Sequence, residues 1–79
     1  MLQVYISPIT VKKSFTIDVG KADILVFKAI LLGASGERLK IFPLKEHINV
    51  LSLDEFDSGF YTLRIEAGQE VIVRQISIP

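Results

Sequence analysis

Apolar and polar side chains alternate with a period of two along most of this chain. Ser14, Phe15, Thr16, Ile17, Asp18 and Val19 alternate strictly, so an extended backbone places Phe15, Ile17 and Val19 on one face and the polar residues on the other. Residues 60–66 repeat the pattern, with Tyr61, Leu63 and Ile65 predicted inward and Thr62, Arg64 and Glu66 outward. A short loop, Ala67-Gly68-Gln69, leads into a second strand over 71–78, and Gly68, free to take positive φ, marks a hairpin. That last strand changes phase, because Val71 and Val73 share one parity and Ile76 and Ile78 the other. The pattern predicts a β-bulge near Arg74-Gln75, the alternative being apolar cover on both faces.

The run 24–32 is apolar on both parities, as a strand buried between two layers would be. A nine-residue helix ending at Gly33 fits it nearly as well. Strand is preferred on the density of β-branched and aromatic residues and on the all-β context. Gly33-Ala34-Ser35-Gly36 reads as a turn, followed by a strand over 37–42 closed by Pro43. Short strands over 46–51 and 2–6 complete the set, the latter at a sheet edge where Pro8 removes no ladder hydrogen bond. Seven short strands with turns every eight to twelve residues predict a single all-β domain over 1–79, an immunoglobulin-like antiparallel β-sandwich.

The segment 51–65 carries the one motif with a mechanism. Such a sandwich must pass the chain from one sheet to the other before its penultimate strand. The corner needs a permissive glycine and a tyrosine whose hydroxyl satisfies a backbone group a few residues upstream. Gly59 and Tyr61 supply both, Leu53 and Phe56 would plug the core beneath, and Asp54 and Asp57 suit the crossing turn. Leu53, Gly59 and Tyr61 are therefore the expected structural corner.

Leu51-Ser52-Leu53, Ser58-Gly59-Phe60-Tyr61, the Leu63-Arg64-Ile65 strand and the closing hairpin resemble the C-terminal half of two groups of Bacteroidetes β-sandwich domains. One is the type IX secretion C-terminal sorting domain; the other is the small secreted immunoglobulin-like domain of gut Bacteroidetes. Gly36-Glu37-Arg38-Leu39 also resembles their Gly-x-x-Val turn, and the likeness covers roughly residues 24–78. The chain departs from the sorting pattern at Ser7-Pro8-Ile9, at Leu32-Gly33 and at Ser77-Ile78-Pro79. The resemblance implies a secreted, non-enzymatic accessory or C-terminal sorting module, in the periplasm, at the cell surface or outside the cell. Its partner would be a protein or the secretion machinery.

Composition narrows the chemistry. In 79 residues, nine Lys and Arg balance nine Asp and Glu, so no basic excess draws in nucleic acid or an anionic membrane. The absence of cysteine excludes a disulfide framework and a thiolate zinc site. The longest apolar run holds nine residues and includes Lys28, far short of the roughly 20 that span a bilayer as a helix, so no membrane insertion is expected. Residues 1–6 lack a basic start and are interrupted by Ser7-Pro8, so no targeting segment is expected there, and if the protein is exported its signal is expected to have been removed or to lie elsewhere in a longer precursor.

His47 is the only histidine and has neither a second imidazole nor a thiol for a catalytic or metal pair, so it is expected at a surface or strand edge. Asp54, Glu55 and Asp57 lack the glycine-centred spacing and closing glutamate of a calcium loop and read as a solvated corner. Ser35 and Ser58 lie beside glycines without a nucleophile elbow, and no phosphate-cradling spacing occurs. Lys12-Lys13 is too short for a nucleic-acid patch, and Phe15, Phe27 and Phe42 are assigned to the core. No enzyme activity and no cofactor is expected. Phe60, on the outward parity with Arg64, gives a candidate contact surface for a protein or a carbohydrate, the alternative being a hydrophobic staple under the corner.

Overall fold

The computed structural model describes residues 4–9, 13–19 and 27–79. Seven strands follow one another: β1 (Tyr5–Ile9), β2 (Ser14–Asp18), β3 (Phe27–Leu32), β4 (Arg38–Leu44), β5 (Ile48–Ser52), β6 (Gly59–Ala67) and β7 (Glu70–Ile78). They form a three-stranded sheet ordered β1-β2-β5 and a four-stranded sheet ordered β4-β3-β6-β7, with every pairing antiparallel. The fold is an all-β sandwich. In its core, Phe15, Ile17 and Val19 from the small sheet meet Ala29, Leu31, Leu63, Ile65, Ile76 and Ile78 from the large one, and the alternation marks Phe15, Ile17, Val19, Leu63 and Ile65 of these. Ile30 is also buried, but on the opposite parity of β3, where Ile41 and Arg64 flank it in register.

Several boundaries differ from the sequence expectation, each for a physical reason. Residues 27–32 are a strand, with Phe27, Ala29 and Leu31 buried on the inner face and Ile30 alone buried on the outer face between the half-buried Lys28 and Leu32; the preceding part of the expected run, 24–26, lies outside the described residues, as do Leu2, Gln3 and Lys12. The strand expected to stop at Phe42 runs through Pro43 to Leu44. Pro43 pairs with Lys28 on the outermost strand of its sheet, a position where its missing N–H can face solvent. β1 likewise runs through Pro8 to Ile9 on an edge. The fifth strand starts at Ile48 rather than Glu46, because Asn49 folds the preceding residues into a turn. Its Oδ1 accepts the N–H groups of Lys45 and Glu46, both at 3.2 Å, and its Nδ2 donates to the Glu46 carbonyl at 2.7 Å.

The bulge expected at Arg74-Gln75 is absent. β7 pairs with β6 in unbroken register from Gly59↔Ile78 to Ala67↔Glu70. The phase change has the other cause: Ile72, Ile76 and Ile78 face the core while Val71 and Val73 stand on the outer face. The register shift of the large sheet lies instead in β4, opposite Leu31 and Leu32. Two residues, Gly68 and Gln69, join β6 to β7. Gly68 at φ 63° in the first central position, with a negative φ at Gln69, matches a type II′ hairpin.

Candidate functional site

The crossing from β5 to β6 moves the chain from the small sheet to the large one, and the local sequence builds it in layers. Leu53, fully buried, drops into the core at the end of β5, and its carbonyl accepts the Phe56 N–H at 3.0 Å, closing a tight turn through Asp54 and Glu55. Ser52 Oγ donates to Asp54 Oδ2 at 3.2 Å. Gly59 opens β6 at φ 153°, a backbone angle that side chains disfavour. Tyr61 then points back along the chain, and its hydroxyl donates to the Asp57 carbonyl at 2.7 Å while its ring meets Phe56 edge-on at 6.2 Å. Lys13, immediately before β2, clamps the same loop: its carbonyl accepts the Leu53 N–H at 2.7 Å and its ammonium donates to the Phe56 carbonyl at 3.0 Å. In sequence Lys13 is half of a short basic pair with no pattern to mark it; only the folded contact reveals this role.

The chemistry-bearing candidates are dispersed. Glu55 forms an ion pair with Lys40 of β4, whose ammonium also lies 5.1 Å from the Phe42 ring centroid. With Asp54 held by Ser52, the acidic corner residues do not converge. Among the described residues no group of three His, Cys, Asp or Glu side chains could hold a metal ion. His47 is exposed, and its carbonyl accepts the Val19 N–H at 2.9 Å, extending the β2·β5 ladder.

Phe60 and Arg64 share the outer face of β6 but are not brought together. Four residues of extended strand separate them by roughly 13 Å, and Arg64 turns toward Glu66, its Nε 2.8 Å from Oε2 without a hydrogen-bonding angle. Glu66 also faces Lys28 at 3.4 Å. Phe60 is 83% exposed and borders a shallow depression of about 210 Å³ with Ala34, Thr62 and Gln75.

The sheet edges differ more than the faces. β1 and β5 are five residues long, and β1 carries Pro8. β4 carries a bulge, Lys40 and Pro43, all devices that discourage a further strand. β7 is nine residues long, with no proline, lysine or bulge. The two-residue turn makes Ala67 and Glu70 a hydrogen-bonded pair, so alternation directs the N–H and C=O of Val71, Val73, Gln75 and Ser77 away from β6. Next to that edge the sandwich is open, with a cleft of about 350 Å³ lined by Ile6, Pro8 and Phe15 on one side and by Arg74 and Ile76 on the other. The sequence signal for this edge was present in the outward valines, but the expected bulge would have concealed it.

Comparison of the chain with protein-family models and with curated protein sequences finds no match. Among the described residues, no helix is long and apolar enough to cross a membrane.

Proposed function

We propose that this chain is an immunoglobulin-like, non-enzymatic interaction module that offers the free edge of β7 to a protein strand. The observation that carries this reading is the edge itself. It is nine residues long, in unbroken register and rich in β-branched residues, beside an apolar cleft, whereas the other three edges are short, bulged or interrupted by proline. Adding a strand to such an edge supplies main-chain hydrogen bonds, while alternate side chains of the incoming segment read the cleft. The 3 + 4 strand order and the Tyr61 corner support the immunoglobulin-like assignment. The resemblance of residues 51–65 to sorting domains supports placing the module in secretion, as an exported accessory or C-terminal sorting domain.

The test is a reporter fused to residues 1–79 in a host with type IX secretion, alongside a Val73→Pro form. Proline at position 73 removes an outward N–H and leaves the β6 ladder intact. The intact fusion is expected outside the cell and the proline form in the periplasm; periplasmic retention of the intact fusion refutes the sorting role, and equal export of both refutes the edge. A second reading, a carbohydrate- or protein-binding face, is favoured by the exposure of Phe60. Glycan titration followed by amide shifts at Phe60, Thr62 and Gln75 tests it.

A further inference from the structure

We infer that the strand which completes the β7 edge is β7 of a second copy of this chain, paired antiparallel about a two-fold axis at Ile72. The inference rests on the reading of β7 as the interacting edge and names its occupant.

Self-pairing of one strand fixes the sum of the paired residue numbers, and the sequence of β7 selects among the sums. Opposed residues of an antiparallel pair share a face, so only registers that match parity keep both cores on the same side of the joined sheet. With Ile72 on the axis, Glu70 of each copy opposes Arg74 of the other, and Val71 opposes Val73. All charges are then matched, twice, by symmetry. With Val73 on the axis, Glu70 faces Ile76 and Arg74 faces Ile72; with Arg74 on the axis, like charges meet directly. The Ile72 register is the one in which charge and hydrophobicity agree.

The backbone agrees as well. Of the outward N–H and C=O groups, those of Val71 and Val73 oppose one another in this register and exchange about four hydrogen bonds across the axis, while those of Gln75 and Ser77 lie beyond the five paired residues Glu70 to Arg74. Glu70 and Arg74 fall in the non-hydrogen-bonded pairs, where the opposed Cα atoms and side chains approach more closely. Val71 and Val73, 46% and 52% exposed, cover one another on the outer face. In the single chain Arg74 makes no ion pair among the described residues and bends back instead, its Nη1 donating at 3.1 Å to the Val73 carbonyl, one of the unpaired edge groups. A net charge of zero removes long-range repulsion between copies.

The test is sedimentation velocity of the full chain from about 10 µM to about 2 mM, a range suited to an edge contact below the ~1,200 Å² lower end of standard interfaces. The wild type is expected to dimerise within it. Glu70→Arg and Arg74→Glu are each expected to weaken the dimer by about tenfold or more, since each replaces two attractive cross-strand pairs by two repulsive ones. The double variant, which exchanges the charges, is expected to return to within about threefold of wild type. As a second measurement, Ile72→Cys in this cysteine-free chain is expected to form a disulfide-linked dimer on mild oxidation, and Val73→Cys, whose partner is Val71, is not. A wild type that stays monomeric throughout, or a double variant no tighter than the singles, overturns the inference. The reporter assay does not read self-association, so either failure leaves the edge reading to be judged separately.

Discussion

Removing the Tyr61 hydroxyl isolates the corner's central hydrogen bond, and the structure sets the size of the effect. In Tyr61→Phe the ring keeps its place beside Phe56, so the edge-on contact at 6.2 Å survives and only the 2.7 Å bond to the Asp57 carbonyl is lost. Asp57 is exposed, so its carbonyl can be rehydrated, and the penalty for a buried unsatisfied acceptor does not apply. The cost is then the net value of one hydrogen bond, about 1 kcal/mol. With an m-value of about 1 kcal/mol/M for a chain of this size, the urea midpoint falls by roughly 1 M at unchanged slope. The melting temperature falls by about 4–8 °C. The Ser58 amide, across the same peptide group, is expected to show the largest shift in an NMR spectrum. A midpoint within about 0.2 M of wild type would falsify the assignment of Tyr61 as the clamp of the crossing.

Three further substitutions probe the same corner by different physics. Gly59→Ala is expected to cost about 1–3 kcal/mol in urea unfolding through backbone strain alone, because an added Cβ would meet nothing closer than the Tyr61 ring at 3.9 Å while φ stays at 153°. Leu53→Ala removes a fully buried side chain and is expected to cost about 2–5 kcal/mol, read as loss of cooperative thermal unfolding at the upper end. Lys13→Met keeps the stem but deletes the ammonium that donates to the Phe56 carbonyl; a loss of about 1 kcal/mol is expected, with faster amide exchange in residues 53–57.

The alternation made the sandwich legible, because the half-buried strands β2 and β6 each have one wet and one dry face and so print a period of two in the sequence. The Tyr61 corner was legible for a different reason: its parts lie within nine residues of one another, so spacing alone suggests their contact. What stayed hidden depends on distant partners. The Lys13 clamp joins residues 43 apart, and no local pattern distinguishes it from a solvated lysine. Pro43 reads as a stop for the strand that precedes it, whereas edge position, a property of the sheet order, makes proline tolerable there; Pro8 is expected at an edge, and the strand runs through it to Ile9. The bulge was misplaced for a related reason: a phase change in apolar residues fits either a bulge or a two-faced strand, and β7 is the second.

The corner and the free edge are one mechanical system, because the register of β6 determines which groups β7 turns outward. Gly59 starts β6 at the crossing, and the Gly68-Gln69 turn ends it; between them each residue of β6 opposes one of β7 without interruption. A slip of one residue at either end would reverse every side chain of β7, driving Val71 and Val73 into the core and Ile72, Ile76 and Ile78 into water. The core contacts of Ile76 and Ile78 oppose that slip at one end, and the two-residue turn, which tolerates no extra residue, opposes it at the other. The outward set of Val71, Val73, Gln75 and Ser77 is therefore fixed by the core contacts and the turn. This is why the side chains that hold the crossing and those that present the edge answer to different tests. Changes at Tyr61 or Leu53 are expected to lower stability, whereas changes at Glu70, Val73 or Arg74 are expected to alter the edge while the sandwich stays folded.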